Sequence, residues 1–249
     1  MGIFKKNAFG HNLLIKTWVI RILGALSHQR FNGFNKMKIE GSQILRDLPE
    51  SNVLFISNHQ TYFADVIAMF HVFNASLKGR EDSIKNVGYL WKPKLNLYYV
   101  AAKETMKSGP LPRLLALAGS VSIKRTWREA GKEVSRGVDP RDLENIRKAI
   151  QVGWVITFPQ GTTKPFAPGR RGTAHIISDL NPTVVPVVVD GFRRGFDRKG
   201  LRVKMRRVEL KLRFKEPLEF APDATPQQIL DQVMVAIEQV RPPETAVNA

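Results

Sequence analysis

The chain has 249 residues, and its 39 Lys and Arg against 22 Asp and Glu leave a formal net charge of +17. Hydrophobic residues at 43 % and charged residues at 24 % are ordinary globular usage, which excludes a disordered tail, a collagen-like repeat and a polytopic membrane protein. Cysteine is absent, so disulfides, thiolate metal sites and cysteine nucleophiles are excluded together. A surface this basic suits an anionic partner: nucleic acid, an anionic membrane surface or a phosphorylated substrate.

Residues 11–28, HNLLIKTWVIRILGALSH, form the longest apolar stretch. Lys16 and Arg21 interrupt it, and it falls short of the roughly 20 apolar residues that span a bilayer. On a helix, Thr17, Arg21, Gly24 and His28 make one narrow polar stripe, and apolar side chains cover the rest. Such a helix is either buried or lies in a membrane interface, where Lys5, Lys6, Lys16, Arg21 and Arg30 would reach anionic head groups. The expected organisation is a membrane-interface helical segment over residues 1–37 and a catalytic domain over 38–249.

That domain reads as α/β, a mixed and mostly parallel sheet covered by helices. VLFIS at 53–57 is a short continuous apolar run, as in a strand buried on both faces. Residues 63–73 read as a helix, 98–102 as a strand, 112–119 as a helix and 120–123 as a strand. A helix over 141–151 precedes the strand WVITF at 154–158. TVVPVVV at 183–189 is a strand whose proline predicts an irregularity or an edge position. Val208, Leu210, Leu212 and Phe214 alternate with charged residues as in a half-exposed strand. Thr225, Pro226 and Gln228 carry the signature of a helix start, with the last helix running to about Val240.

Three loops carry the chemistry. Asn58 and His59 follow the first buried strand directly, and the carboxyl end of a parallel strand is where α/β folds place reactive groups. Asp65 lies six residues beyond His59, and a His–Asp pair makes a general base: the carboxylate fixes the tautomer and stabilises the imidazolium that forms. Gln160, Gly161, Thr162, Thr163 and Lys164 form a donor-rich turn after WVITF, with Arg170 and Arg171 close behind, and such a turn can present amides and cations to an anion. Lys103, and Lys124 with Arg125, mark two more strand ends.

In order, Asn58-His59…Asp65, Lys103 with Gly119…Arg125, FPQGT at 158–162 and Val184-Val185-Pro186-Val187 resemble the motif blocks of the glycerolipid acyltransferase family, most of all its bacterial 1-acylglycerol-3-phosphate acyltransferases. The resemblance runs from about residue 38 to 220. It implies that His59 and Asp65 are catalytic. It implies that Asn58, Lys103, Arg125, Gln160, Gly161, Thr162, Thr163, Arg170 and Arg171 bind substrate, with amides near Gly161 facing the oxyanion. No bound cofactor and no metal are expected; acyl-CoA or acyl carrier protein is the acyl donor and a lysophospholipid the acceptor. Two departures stand out. The spacing is His-x5-Asp where the family has His-x4-Asp, and one extra residue on a regular helix turns Asp65 by about 100°. The pair therefore requires a longer non-helical lead-in or a π-bulge. Gln160 and Thr163 replace the family's Glu and Arg, and that Arg is associated with the acceptor phosphate. A different acceptor, such as a lyso-amino-lipid, is the alternative.

The expected site of action is the cytoplasmic face of the plasma membrane, held peripherally, with membrane lipid as partner. Nucleic acid is not expected as a partner: the chain has no recognised binding motif, and residues 11–28 have no purpose in that reading. The remaining rival is a lipid-binding relative without activity.

Overall fold

The computed structural model describes residues 5–124, 128–129, 132–133 and 139–241. In chain order the elements are α1 (Leu13–Phe31), β1 (Lys36–Glu40), β2 (Val53–Ser57), α2 (Ala64–Ser76), β3 (Leu97–Ala102), α3 (Lys103–Lys107), α4 (Pro110–Ala116) and β4 (Ser120–Ile123). A two-residue hairpin of β5 (Arg128–Glu129) and β6 (Lys132–Glu133) leads to α5 (Pro140–Val152), β7 (Trp154–Thr157), α6 (Arg171–Leu180), β8 (Thr183–Asp190), α7 (Phe192–Gly195), β9 (Glu209–Phe214) and α8 (Pro226–Ala236). Short 3-10 turns at Ser42–Arg46 and Val87–Trp91 fill two connections.

The main sheet has seven strands in the order β1-β9-β8-β2-β7-β3-β4. All neighbours are parallel except β8 and β9. β2 is central and wholly buried because its residues alternate between two apolar layers. Val53 and Phe55 face the layer that includes α1 and α2, and Leu54 and Ile56 face the layer of α5, α6 and α8. Thr225 and Gln228 form the reciprocal capping box that starts α8.

Of the irregularity or edge position expected of Pro186, the structure has the irregularity: the residue lies inside the sheet, between β2 and β9, where the β9 ladder breaks. The nitrogen and oxygen of one strand residue point toward the same neighbour. The Pro186 carbonyl accepts from the Lys215 amide, so the missing N–H falls on the β9 side, where that ladder has ended at Val187 and Phe214. The β2 ladder loses nothing. Strands β1, β5 and β6 and helices α3, α6 and α7 are additions to the expected elements.

Helix α1 starts at Asn12, whose side chain accepts from the Leu14 and Ile15 amides. It buries Val19, Ile20, Ser27 and Phe31 and leaves Leu14, Ile15, Trp18, Ile22 and Leu26 exposed. Lys16 reaches no head group. It is 0 % exposed, with Nζ donating to the Leu97 carbonyl at 2.9 Å and lying 4.4 Å from the Tyr98 ring centroid. The helix has turned this position onto the sheet, and the long stem fills the space. Arg21 is likewise engaged, lying between the Trp18 and Trp91 rings and donating to the Trp91 carbonyl. The buried His71 ring joins α1 to α2, 3.0 Å from Ser27 Oγ and 2.7 Å from the Tyr89 hydroxyl. Burial, and then the neighbouring His28, push its pKa down to about 3, so the ring is a neutral strut.

Burial lowers the Lys16 pKa from 10.5 to about 7. The unfolded chain therefore binds this proton more readily, and the burial penalty is full below about pH 7 and relieved as pH rises toward 10.5. Lys16→Met should raise stability over wild type most below pH 7, with the gain shrinking as pH rises. Paired denaturant titrations at pH 6 and pH 9.5 measure this; an equal gain at both would contradict it.

Candidate active site

The carboxyl ends of β2, β7 and β8 lie side by side, and the loop after each meets the others. After β2 the chain runs without helix from Asn58 to Phe63, and α2 begins only at Ala64. The extra residue of the His-x5-Asp spacing is absorbed in this lead-in, with no bulge in the helix. Asp65 sits in the first turn of α2, where the helix dipole favours a carboxylate. It is 0 % exposed and accepts four hydrogen bonds: His59 Nδ1 at 3.0 Å, the Gln60 amide at 2.6 Å and the Thr61 amide at 3.0 Å on Oδ2, and the Thr61 hydroxyl at 2.7 Å on Oδ1. A carboxylate only accepts, so Nδ1 of His59 carries the hydrogen and Nε2 keeps its lone pair. The His59 side chain is 12 % exposed, which leaves part of the ring open to solvent while Asp65 stays buried.

Two side chains pin the His59 loop to β8. The Asn58 amide bonds both polar groups of the Val189 backbone, at 2.9 and 2.8 Å. Gln60 Nε2 donates to the Val189 carbonyl at 3.1 Å. Asn58, expected to bind substrate, thus spends its polar atoms on the fold. The loop after β7 supplies the second wall: the Phe158 ring stacks on His59 with centroids 3.8 Å apart and planes at 21°. Phe158 follows Thr157, which pairs with Ile56 in β2, so the two loops leave the sheet together.

The other expected residues divide. Gln160 is buried, donating to the Ala167 carbonyl at 2.8 Å and to Gln239 Oε1 at 3.2 Å. It therefore cannot contact a substrate in this arrangement. Gly161 has φ +61° and closes a turn in which its amide donates to the Phe158 carbonyl at 2.9 Å, so that amide is not free for an oxyanion. The Thr162 hydroxyl accepts from the Lys164 amide at 3.2 Å. The Thr163 carbonyl accepts from Arg193 Nη2 at 2.6 Å. Arg170 caps α6, its amide bonded to the Pro159 carbonyl, and Arg171 follows, exposed. Lys103 begins α3 at the end of β3, and its ammonium is paired with buried Asp142 at 2.9 Å, so its charge is already neutralised. Arg125 lies outside the described residues.

Three contributors escaped the sequence reading, Gln60, Thr61 and Arg193, while Phe158 was read only as the head of the FPQGT block. Gln60 and Thr61 sit between His59 and Asp65, and a short donor-rich link ahead of a buried acid was their only signal. Arg193 joins the walls, because its amide donates to Gln60 Oε1 at 3.1 Å while its guanidinium holds Thr163. It comes three residues after β8, and its exposed side chain lies between the two loops. An apolar cleft starts close by, lined by Phe63, Val66 and Phe70 on the α2 side, Val19 and Leu23 of α1, and Leu115 of α4.

Residues 36–190 match the family Acyltransferase. The crystal structure of the 1-acyl-sn-glycerophosphate (LPA) acyltransferase PlsC from Thermotoga maritima is similar, with a TM-score of 0.55 over 89 % of this chain and 77 % of that one, at 16 % identity. At that identity the likeness speaks for a shared fold. A comparison with curated proteins gives no match. The family match spans more than half of the chain and takes in the His59–Asp65 pair, the Phe158 loop and β8 together: the protein belongs to the Acyltransferase family.

Proposed function

We propose that the protein is a peripheral membrane O-acyltransferase of phospholipid biosynthesis, moving a fatty acyl group from acyl-CoA or acyl carrier protein to the hydroxyl of a lysophospholipid. The acceptor assigned first is 1-acylglycerol-3-phosphate, with phosphatidic acid as product. One observation carries this reading. His59 is held by buried Asp65 through Nδ1 and stays partly exposed, four residues before Phe63, which lines the apolar cleft.

His59 Nε2 takes the proton of the acceptor hydroxyl as its oxygen bonds the thioester carbonyl carbon. Asp65 holds the ring and stabilises the imidazolium. Collapse of the tetrahedral intermediate breaks the C–S bond, and His59 returns the proton to the departing thiolate. No acyl-enzyme forms. Among the described residues, the Thr162 and Thr163 amides have no acceptor, and we assign them to the oxyanion in place of the engaged Gly161 amide. The apolar cleft between α1, α2 and α4 takes the acyl chain. Arg193 supplies the cation that Thr163 does not, positioned by the Thr163 carbonyl itself.

No helix among the described residues is long and apolar enough to cross a membrane. The N-terminal segment instead offers Trp18, Ile22 and Leu26 of α1 with Trp91 beside them, all half or more exposed. Lying on the leaflet, this face would bring the cleft to its lipid substrates. The lack of an arginine at position 163 favours one second reading, a lyso-amino-lipid acceptor whose head group is not a bare phosphate.

Thiol release from acyl-CoA and acyl carrier donors, measured over a lysolipid panel, tests the assignment. His59→Ala should lower turnover by about 10²–10⁴-fold or more, the contribution of a placed base. Asp65→Asn should approach the same loss, because an amide presents Nδ1 with the wrong partner. Activity equal to wild type in His59→Ala would overturn the mechanism. Arg193→Ala should raise KM for 1-acylglycerol-3-phosphate about 10-fold or more, the worth of a charge-assisted bond, and leave KM for a neutral-headed lysolipid unchanged. An equal effect on both acceptors would remove Arg193 from head-group recognition.

A further inference from the structure

Between α7 and β9 the chain passes through residues 197–207, which carry Arg198, Lys199, Arg202, Lys204, Arg206 and Arg207. All six are exposed, and among the described residues none forms an ion pair. The acid within the run, Asp197, does not balance them. Its Oδ1 accepts from the Leu201 and Arg202 amides at 2.8 and 3.0 Å and shapes the loop from within. Six uncompensated cations on so short a segment repel one another, which favours an anionic partner.

This loop is bonded to the segment that carries the chemistry. The Arg198 and Lys199 carbonyls accept from the Tyr62 and Phe63 amides at 3.1 and 3.0 Å, just ahead of α2. Gly200 lies so close that a Cβ there would sit 2.5 Å from the Ala64 nitrogen, and its φ of +76° suits glycine. The same loop is bonded to α1. Arg30, one turn beyond exposed Leu26, donates through Nη1 to the Leu201 carbonyl at 2.7 Å. The loop that bears the cations is thus fastened to the C-terminal end of α1 on one side and to the lead-in of α2 on the other.

We propose that residues 198–207 form an anionic-lipid contact that completes the seating of α1 on the leaflet and tightens the His59–Asp65 segment. The enzyme then responds to the negative charge of the surface on which it works. The proposal deepens the peripheral-membrane reading above and rests on it. Continuity with the apolar residues of α1 decides for a bilayer over an acidic carrier protein, which would have no use for them. A bilayer offers both an apolar layer and head-group charge within the reach of one face.

Wild type and the triple variant Lys199→Gln/Arg202→Gln/Lys204→Gln are floated with vesicles of phosphatidylcholine alone or with added phosphatidylglycerol, and thermal unfolding confirms that the variant folds. Wild type should bind the anionic vesicles far more tightly than the neutral ones, and the variant should lose about 100-fold of that preference. Raised salt should erase the same increment in wild type. Hydrogen exchange at the Tyr62 and Phe63 amides should slow on anionic vesicles in wild type and not in the variant. With acyl transfer assayed in neutral detergent micelles, the variant should match wild type on every donor. The proposal is overturned by equal binding of variant and wild type to anionic vesicles, or by exchange at Tyr62 and Phe63 that ignores the surface. A defect seen only with acyl carrier protein in micelles would also overturn it, marking the loop as a carrier dock. If vesicle binding and exchange behave as expected while no lysolipid is acylated, the function reading fails and the lipid contact stands.

Discussion

The site depends on one buried carboxylate. Asp65 has no exposed surface, and an acid taken out of water is tolerated only when its lone pairs are occupied. Here His59, the Gln60 amide and both donors of Thr61 occupy them. Satisfying Asp65 therefore dictates the path of the chain from 59 to 61, delays α2 until Ala64 and orients the imidazole. The cost of burying the charge and the geometry that the proposed base needs are met by the same bonds. Losing any one donor strands part of a buried charge, so the ring orientation and the local fold should fail together.

The sheet supplies the rest of the positioning. β2 lies between β7 and β8, so the His59 loop, the Phe158 loop and Arg193 converge although they lie far apart in sequence. Asn58 and Gln60 fasten the first of these loops to β8. Crossing helices, each with one face against the sheet, leave this end open, as parallel α/β architecture requires. On the opposite side of α2, the apolar cleft and the exposed face of α1 share one helix.

Strand cores and helix positions were legible because continuous apolar runs and capping signals are local. The His59–Asp65 pair was legible as residue types at a strand end. Whether an extra residue broke it was not, because four hydrogen bonds to a carboxylate cannot be read from spacing. Lys16 was misread for a related reason: a cation in an apolar helix reads as a head-group ligand until the helix is rotated onto the sheet. Gln160 looked like a donor in a substrate loop, but α8, from a distant part of the chain, brings Gln239 to cover it. Arg193 was hidden among many basic residues, and only the pairing of β8 with β2 singles it out. Pro186 signalled an irregularity or an edge, and it is the irregularity that the structure has, one of its two ladders ending there.

Nitrogen-15 NMR of the histidine rings tests the central claim most directly, since it reads which ring nitrogen bears the hydrogen. If Asp65 orients the base, the His59 signal at neutral form shows a protonated Nδ1 and a bare Nε2, and the pattern is lost in Asp65→Ala. A His59 ring protonated at Nε2 in wild type, or one unaffected by removing Asp65, would contradict the account.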